Sequence, residues 1–217
     1  MGDLTMKTPA GPGIAGPRVQ QATVGDVPVL GRLIADAFDA LEQNLWLVPD
    51  VEARPYVFPA YFALQVDLGV QCGTVYTTPQ RDAVAVWLPV DDTLPTLPDY
   101  TDRLIRLAGS WADRFHIFEA ALGSQHPALG RHDYLAFLAV HPTQQRRGLG
   151  TRLMEHHHRL LDWHRLPAYL EAASWHSHDF YRLRGWGEHA DPYQITPAGP
   201  TMYPMVRQPR PISGGQL

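Results

Sequence analysis

Leu138-Ala-Val-His-Pro-Thr-Gln-Gln-Arg-Arg-Gly-Leu-Gly150-Thr151 runs from an apolar stretch, through a polar turn, into a pair of glycines that open a helical pattern. Upstream, Tyr134 to His141 is near-continuously apolar, which predicts a strand buried on both faces. Downstream, Gly148 to Trp163 predicts a helix with Leu149, Leu153, Leu160 and Leu161 as its core stripe and with His156, His158 and Arg159 elsewhere. Helix N-termini leave backbone N–H groups unpaired and carry about half a positive charge, so this junction suits an anion. Gly148 and Gly150 let a ligand approach the backbone, and Arg146 and Arg147 add charge. The junction lacks the Walker A lysine, and position 153 is Leu where a dinucleotide fingerprint needs a third small residue.

Working outward, Pro167 to Ala172 is a second apolar strand. A helix separates the two runs, so they are expected to be parallel neighbours joined by a right-handed crossover. A short helix is expected at about His178 to Leu183, stopped by Gly185, and two more strands between Trp186 and Val206. On the N-terminal side, Arg18 to Thr23 reads as an edge strand. Val27, Leu30, Ile34 and Phe38 recur at helical spacing, and a further helix falls within Glu52 to Leu68. Gly69 to Thr77 and Ala83 to Leu88 read as a hairpin turning at Pro79 to Asp82. Asp91 to Pro98 is a loop, followed by helical patterns at Tyr100 to Leu107 and Ser110 to Leu122. The expected organisation is a flexible leader over 1–17, one domain over 18–207 and a frayed tail over 208–217.

Composition narrows the function. The 217 residues carry 18 Lys plus Arg against 22 Asp plus Glu, a formal charge of −4. Without basic blocks, nucleic acid and anionic membranes are not expected partners. No apolar stretch is long enough to span a bilayer. The single cysteine, Cys72, excludes an intrachain disulfide and a cysteine-based zinc site, which fits a cytoplasmic location. Cys72 is expected in the first hairpin strand as a small core residue. The run His156-His157-His158 lacks a convergent carboxylate, so no metal is expected and the run reads as a solvated helix face.

Gln145-Arg-Arg-Gly-Leu-Gly150 resembles the Q/R-x-x-G-x-G/A motif of the GNAT acyltransferase superfamily. Tyr169-Leu-Glu-Ala-Ala-Ser174 and Phe180-Tyr-Arg-Leu-Arg-Gly-Trp186 resemble that family's fifth strand and the helix end after it. Asp82-Ala-Val-Ala-Val-Trp87, Tyr169-Leu-Glu-Ala and Gly199-Pro-Thr-Met-Tyr-Pro-Met-Val206 resemble the puromycin N-acetyltransferase branch. The likeness covers about Arg18 to Arg207. It implies an α/β fold of GNAT type: a mixed, mostly antiparallel sheet, splayed between strands four and five, with helices on both faces.

The resemblance also implies acetyl-CoA as cosubstrate and a small-molecule primary amine as acceptor, an aminonucleoside or similar antibiotic-like compound. The amides around Gln145, Arg146, Arg147, Gly148, Leu149, Gly150 and Thr151 would hold the pyrophosphate. The backbone at Leu138, Ala139 and Val140 would pair with the pantetheine arm like an added strand, with the Val140 amide facing the thioester carbonyl. Ser177 and Phe180 would lie along the same arm; Ser177 stands where the family often has Asn. The rival readings are a protein or peptide N-acetyltransferase and a non-catalytic acyl-CoA sensor. A homodimer is left open.

Acid and base can be argued from the residues. A thiolate leaving group benefits from a proton, and a phenol can supply one. Tyr181 sits where the resemblance puts the acid. Glu171 is the acidic residue inside the apolar run Ala168 to Ala173, where desolvation would raise its pKa and suit it to base work, directly or through a water. His141 is a second base candidate. Phe38, Trp46, Tyr61, Trp87 and Trp175 are the aromatics expected to line an acceptor pocket.

Overall fold

The computed structural model describes residues 18–211; the expected leader over 1–17 and the end of the expected tail lie outside them. After β1 (Gln20–Gln21) come α1 (Val27–Phe38), α2 (Glu42–Leu47) and α3 (Arg54–Cys72). The hairpin β2 (Thr74–Thr77) and β3 (Ala83–Val90) leads to α4 (Tyr100–Ala108) and α5 (Ala112–Gln125). Then follow β4 (His132–Val140), α6 (Leu149–His164), β5 (Ala168–Ala172), α7 (Trp175–Arg182), β6 (Gly187–Glu188), β7 (Tyr193–Gln194) and β8 (Thr201–Arg207).

The strands line up as β1-β2-β3-β4-β5-β8-β6, with β7 also on β8. Every pairing is antiparallel except β4 with β5. Side-chain alternation along β3 explains the layering. Val84, Val86 and Leu88 belong to a core that includes residues of α1, α3, α4 and α5. Ala83, Ala85 and Trp87 belong to a second core with residues of α6 and α7. Helices therefore cover both faces of the sheet, as expected. The close pair α1 and α3 meets at Gly31, where an added Cβ would lie 2.6 Å from the backbone nitrogen of Ala63.

The parallel ladder is short. β4 and β5 share the register pairs Asp133↔Ala168 and Tyr134↔Tyr169, and no further pairs follow. On its other edge β4 carries an irregularity: Val86 faces Phe137 while Trp87 faces Leu135, which leaves Ala136 without a partner. Such a bulge bends its strand, and here it does so just past the last pair with β5. That opens the gap on which the site is built.

Several expectations are corrected. The strand read over Gly69 to Thr77 is helix as far as Cys72, so Cys72 ends α3 and does not lie in the hairpin. Helix persists through Gly69 because its bare Cα fits against Val86 and Val75; a Cβ would lie 2.6 and 2.8 Å from their methyls. Helix α2 lies in a stretch given no element above, and three strands, the two-residue β6 and β7 and the seven-residue β8, stand where two were expected after Trp186. β4 is half-buried along its length and not sealed on both faces, because one side looks into a cavity. In α6, Leu160 is 41% exposed, whereas His157 and His158 are buried. The histidine run is therefore not a solvated face: His157 stacks on Trp87, and its Nε2 lies 2.7 Å from Asp133 Oδ2.

Candidate active site

A cavity of about 900 Å³ runs from the β4–β5 gap to the space under α1, α3, α4 and α5. One end is the turn between β4 and α6. His141 donates its amide to the Asp82 carbonyl on the β3 side, at 2.8 Å. Strand amides alternate in direction, so the N–H groups of Val140 and Leu138 point the other way, into the gap where β5 no longer pairs. The turn is closed by Gln145 Nε2, which donates to the Val140 carbonyl at 3.3 Å. Arg146 (φ 63°) and Gly148 (φ 77°) both adopt left-handed backbone. A bend of this kind aims successive amides at one point, and helix α6 begins immediately afterwards with Arg152 donating to the Gly148 carbonyl.

Of the expected cofactor-side residues, Leu138, Ala139, Val140, Gln145, Arg146, Gly148, Leu149, Gly150, Thr151, Ser177 and Phe180 all line this cavity. Arg147 is exposed and stands outside the lining. The hydroxyl of Ser177 is committed to its own helix start: it donates to the Ser174 carbonyl at 2.9 Å and accepts from the Ser174 amide at 3.0 Å. Arg184, not singled out from the sequence, adds a cation to this end. Its guanidinium lies over the Phe180 ring at 3.7 Å and donates to Thr151 Oγ1 at 2.9 Å. The left-handed turn, the helix start and two arginines together form a cradle that fits a diphosphate.

Tyr181 and Glu171 line the same cavity. Burial pushes the Tyr181 phenol up, so it keeps its proton near neutral pH. Glu171 sits under three phenols, Tyr134, Tyr169 and Tyr193, with the Tyr193 hydroxyl donating to its Oε1 at 3.5 Å. Its Oε2 is sealed from solvent without a hydrogen bond among the described residues. Desolvation lifts its carboxyl to about 7 against an ordinary 4.5. His141 is absent from the cavity lining; its Nδ1 is engaged with the hydroxyl of Thr143, 2.9 Å away.

The aromatics divide. Phe38 and Tyr61 line the cavity, joined by Phe62, Phe118 and Phe137. Trp46, Trp87 and Trp175 do not. Trp46 lies against Arg114, whose Nη1 donates to its carbonyl. Trp87 is on the α6 face of the sheet, because its side-chain parity is opposite to that of Leu88. Trp175 is 57% exposed and stacks on His178. Besides Arg184 and those three phenylalanines, the lining residues missed from the sequence include Gln43, Tyr100 and Glu119. Gln43 crosses from α2 to donate to the carbonyls of Ala173 at 2.8 Å and Thr201 at 3.1 Å. Glu119 is flanked on α5 by Phe115, Phe118 and Leu122, and a charge within that apolar arc was the signal available.

Among the described residues, no group of three or more His, Cys, Asp or Glu is placed to hold a metal ion. None of their helices is long and apolar enough to cross a membrane. A family model described as "Acetyltransferase (GNAT) family" matches residues 78–186. Solved structures similar to the chain include the histone acetyltransferase HPA2 and related acetyltransferase of Corynebacterium glutamicum, with 22% identity over 91% of this chain and 98% of that one, at a TM-score of 0.66. Arylalkylamine N-acetyltransferase 2 of Aedes aegypti has 11% identity over 88% and 98%, at 0.59. The ribosomal-protein-S18-alanine N-acetyltransferase of Escherichia coli has 16% identity over 93% and 99%, at 0.53.

Proposed function

The chain belongs to the GNAT acetyltransferase family, and from that premise we propose that it moves the acetyl group of acetyl-CoA onto a primary amine of a small, aromatic, antibiotic-like molecule, aminonucleosides being the leading class. The observation that carries this reading is one continuous cavity holding the anion cradle, the unpaired β4 backbone, Glu171 and Tyr181. The helical cover over its acceptor side supports a small acceptor over a peptide: α1, α2, α3, α4 and α5 each contribute lining residues. Its aromatic walls, and the likeness of Gly199 to Val206 and Asp82 to Trp87 to the puromycin N-acetyltransferase branch, support the acceptor class.

The steps follow from the groups present. An ammonium cannot attack, so Glu171 takes its proton, directly or through a water. The free amine adds to the thioester carbonyl, and the Val140 amide donates to the developing oxyanion. Collapse breaks the C–S bond. Tyr181 gives its proton to the leaving sulfur, and the surplus proton on the new amide nitrogen restores the phenol through solvent. No covalent enzyme intermediate is involved, and the half-buried Cys72 at the end of α3 takes no part.

The test is CoA release from acetyl-CoA across a panel of amines that includes puromycin. Release with small aromatic amines is expected. Binding of acetyl-CoA without release from any amine would replace this reading with a sensor.

A further inference from the structure

Glu119 is a second acid in the cavity, and nothing in the steps above uses it. It projects from α5, and its Oε1 accepts from the Tyr100 hydroxyl and from the Tyr61 hydroxyl at 3.2 Å. Gln65 Nε2 supports the arrangement by donating to the Tyr100 oxygen at 2.5 Å. Neutral donors thus converge on one oxygen. The other, Oε2, makes no hydrogen bond among the described residues, yet is not among the sealed atoms, so it opens into the cavity that Glu119 lines. Burial holds this carboxyl above its ordinary value.

Buried carboxylates are ordinarily matched by a cation. Among the described residues, neither Glu119 nor Glu171 has an ion-pair partner. His126, which also lines the cavity, is no substitute, because burial lowers it to about 4 and leaves it neutral. The arginines in the lining are Arg146 and Arg184, and Arg184 is anchored on Phe180 and Thr151 beside the phosphate cradle. His116, one turn before Glu119 on α5, acts on it electrostatically but lies beyond ion-pair distance and outside the cavity lining, so the cavity has a cationic end for the diphosphate and two acids that no described residue pairs with.

We propose that the acceptor brings both missing cations: it carries a second protonated nitrogen, which Glu119 receives while Glu171 deprotonates the reacting amine. The inference rests on the acetyl-transfer reading and narrows its acceptor. Tyr61 and Tyr100 position the Glu119 carboxylate, and the aromatic walls hold the spacer between the two nitrogens.

The experiment compares para-xylylenediamine with para-ethylbenzylamine at saturating acetyl-CoA. The two share a ring and one reacting amine, and differ in whether the far end carries an ammonium. Beyond the twofold expected from two equivalent ends, kcat/KM should favour the diamine by about ten- to hundredfold, as for one hydrogen bond to a charged group. Glu119→Gln should collapse that ratio, and Glu119→Asp, which keeps the charge, should retain part of it. A wild-type ratio near two, or a ratio unmoved in Glu119→Gln, overturns the inference. Acetylation of puromycin with neither test amine accepted overturns it too while leaving the transfer reading intact. No release from any amine overturns both.

Discussion

Tyr134 and Tyr169 form the last register pair of the parallel β4–β5 ladder, and Ala136, the residue of β4 that no β3 residue faces, comes two positions later. The strand is bent away from one neighbour where its register with the other slips. Past that point the amides of Leu138 and Val140 are aimed at open space, while those on the opposite side of β4 remain bonded to β3.

This geometry makes Val140→Pro a clean deletion. The proline ring removes an N–H that has no partner in the sheet, so the β3–β4 bonds survive and the stability cost stays modest. Loss of an oxyanion donor typically costs about a hundred- to thousandfold in kcat. We expect that loss in kcat at saturating acetyl-CoA, with a smaller loss of acetyl-CoA affinity because the ring enters the gap proposed for the pantetheine arm, measured by titration calorimetry beside initial rates. A near-normal kcat would remove Val140 from the reaction.

Glu171 predicts two pH effects of opposite sense. As a base it must be ionised, so kcat/KM should rise with pH through about 7, where burial holds its carboxyl. For stability the sign reverses. The folded state holds this proton more tightly than the unfolded chain, whose carboxyl ionises near its ordinary 4.5. Stability from this group is therefore intact below that value and declines as pH rises to about 7. The accumulated penalty is on the order of 3 kcal/mol. Glu171→Gln should abolish the rise in activity, and should raise the melting temperature more at mildly alkaline pH than at mildly acidic pH. An equal shift at both would show that the carboxyl carries no proton across this range.

The contrast between legible and illegible parts has a physical origin. The turn at Arg146 to Gly150 and the strands beside it are specified locally, by glycines at fixed spacing and by apolar runs, so strand, turn and helix could be read in order. Other features depend on partners far away in the chain. Gly69 looks like a breaker, but it continues α3 because Val75 and Val86 occupy the space its side chain would need. Trp87 looked like a pocket residue until β3 parity turned it toward α6, where it stacks on His157 at 4.1 Å. The same contact takes His157 out of solvent. Glu119 and Glu171 reach one cavity only through tertiary folding, although each announced itself locally as a charge within an apolar pattern.

Gly31 tests the wall of the proposed acceptor end. A Cβ there would lie 2.6–2.8 Å from three atoms of Ala63, two of them backbone, so α1 and α3 must part to admit even alanine. Overpacking of this kind costs about 1–3 kcal/mol. Both helices supply cavity residues, Phe38 from α1 and Tyr61, Phe62 and Gln65 from α3. Gly31→Ala should lower the melting temperature and raise KM for the amine more than KM for acetyl-CoA. A variant as stable as the parent would mean that the helices separate at no cost.

Tyr181→Phe tests the proposed acid. The ring is buried against Phe180 and Trp186, with centroids 5.3 and 6.0 Å away, and phenylalanine can keep those contacts. Only the hydroxyl is lost, and among the described residues it has no hydrogen-bond partner that would be orphaned. Stability and acetyl-CoA affinity should therefore change little, while kcat falls by about a hundredfold or more, as for loss of a general acid. Thioesters with better leaving groups need less protonation at sulfur. An acetyl thioester of a more acidic thiol should accordingly recover part of the lost rate in Tyr181→Phe and gain much less in the parent enzyme. Equal gains in both would assign the proton on the leaving sulfur to another donor, with Tyr181 serving only to pack the gap.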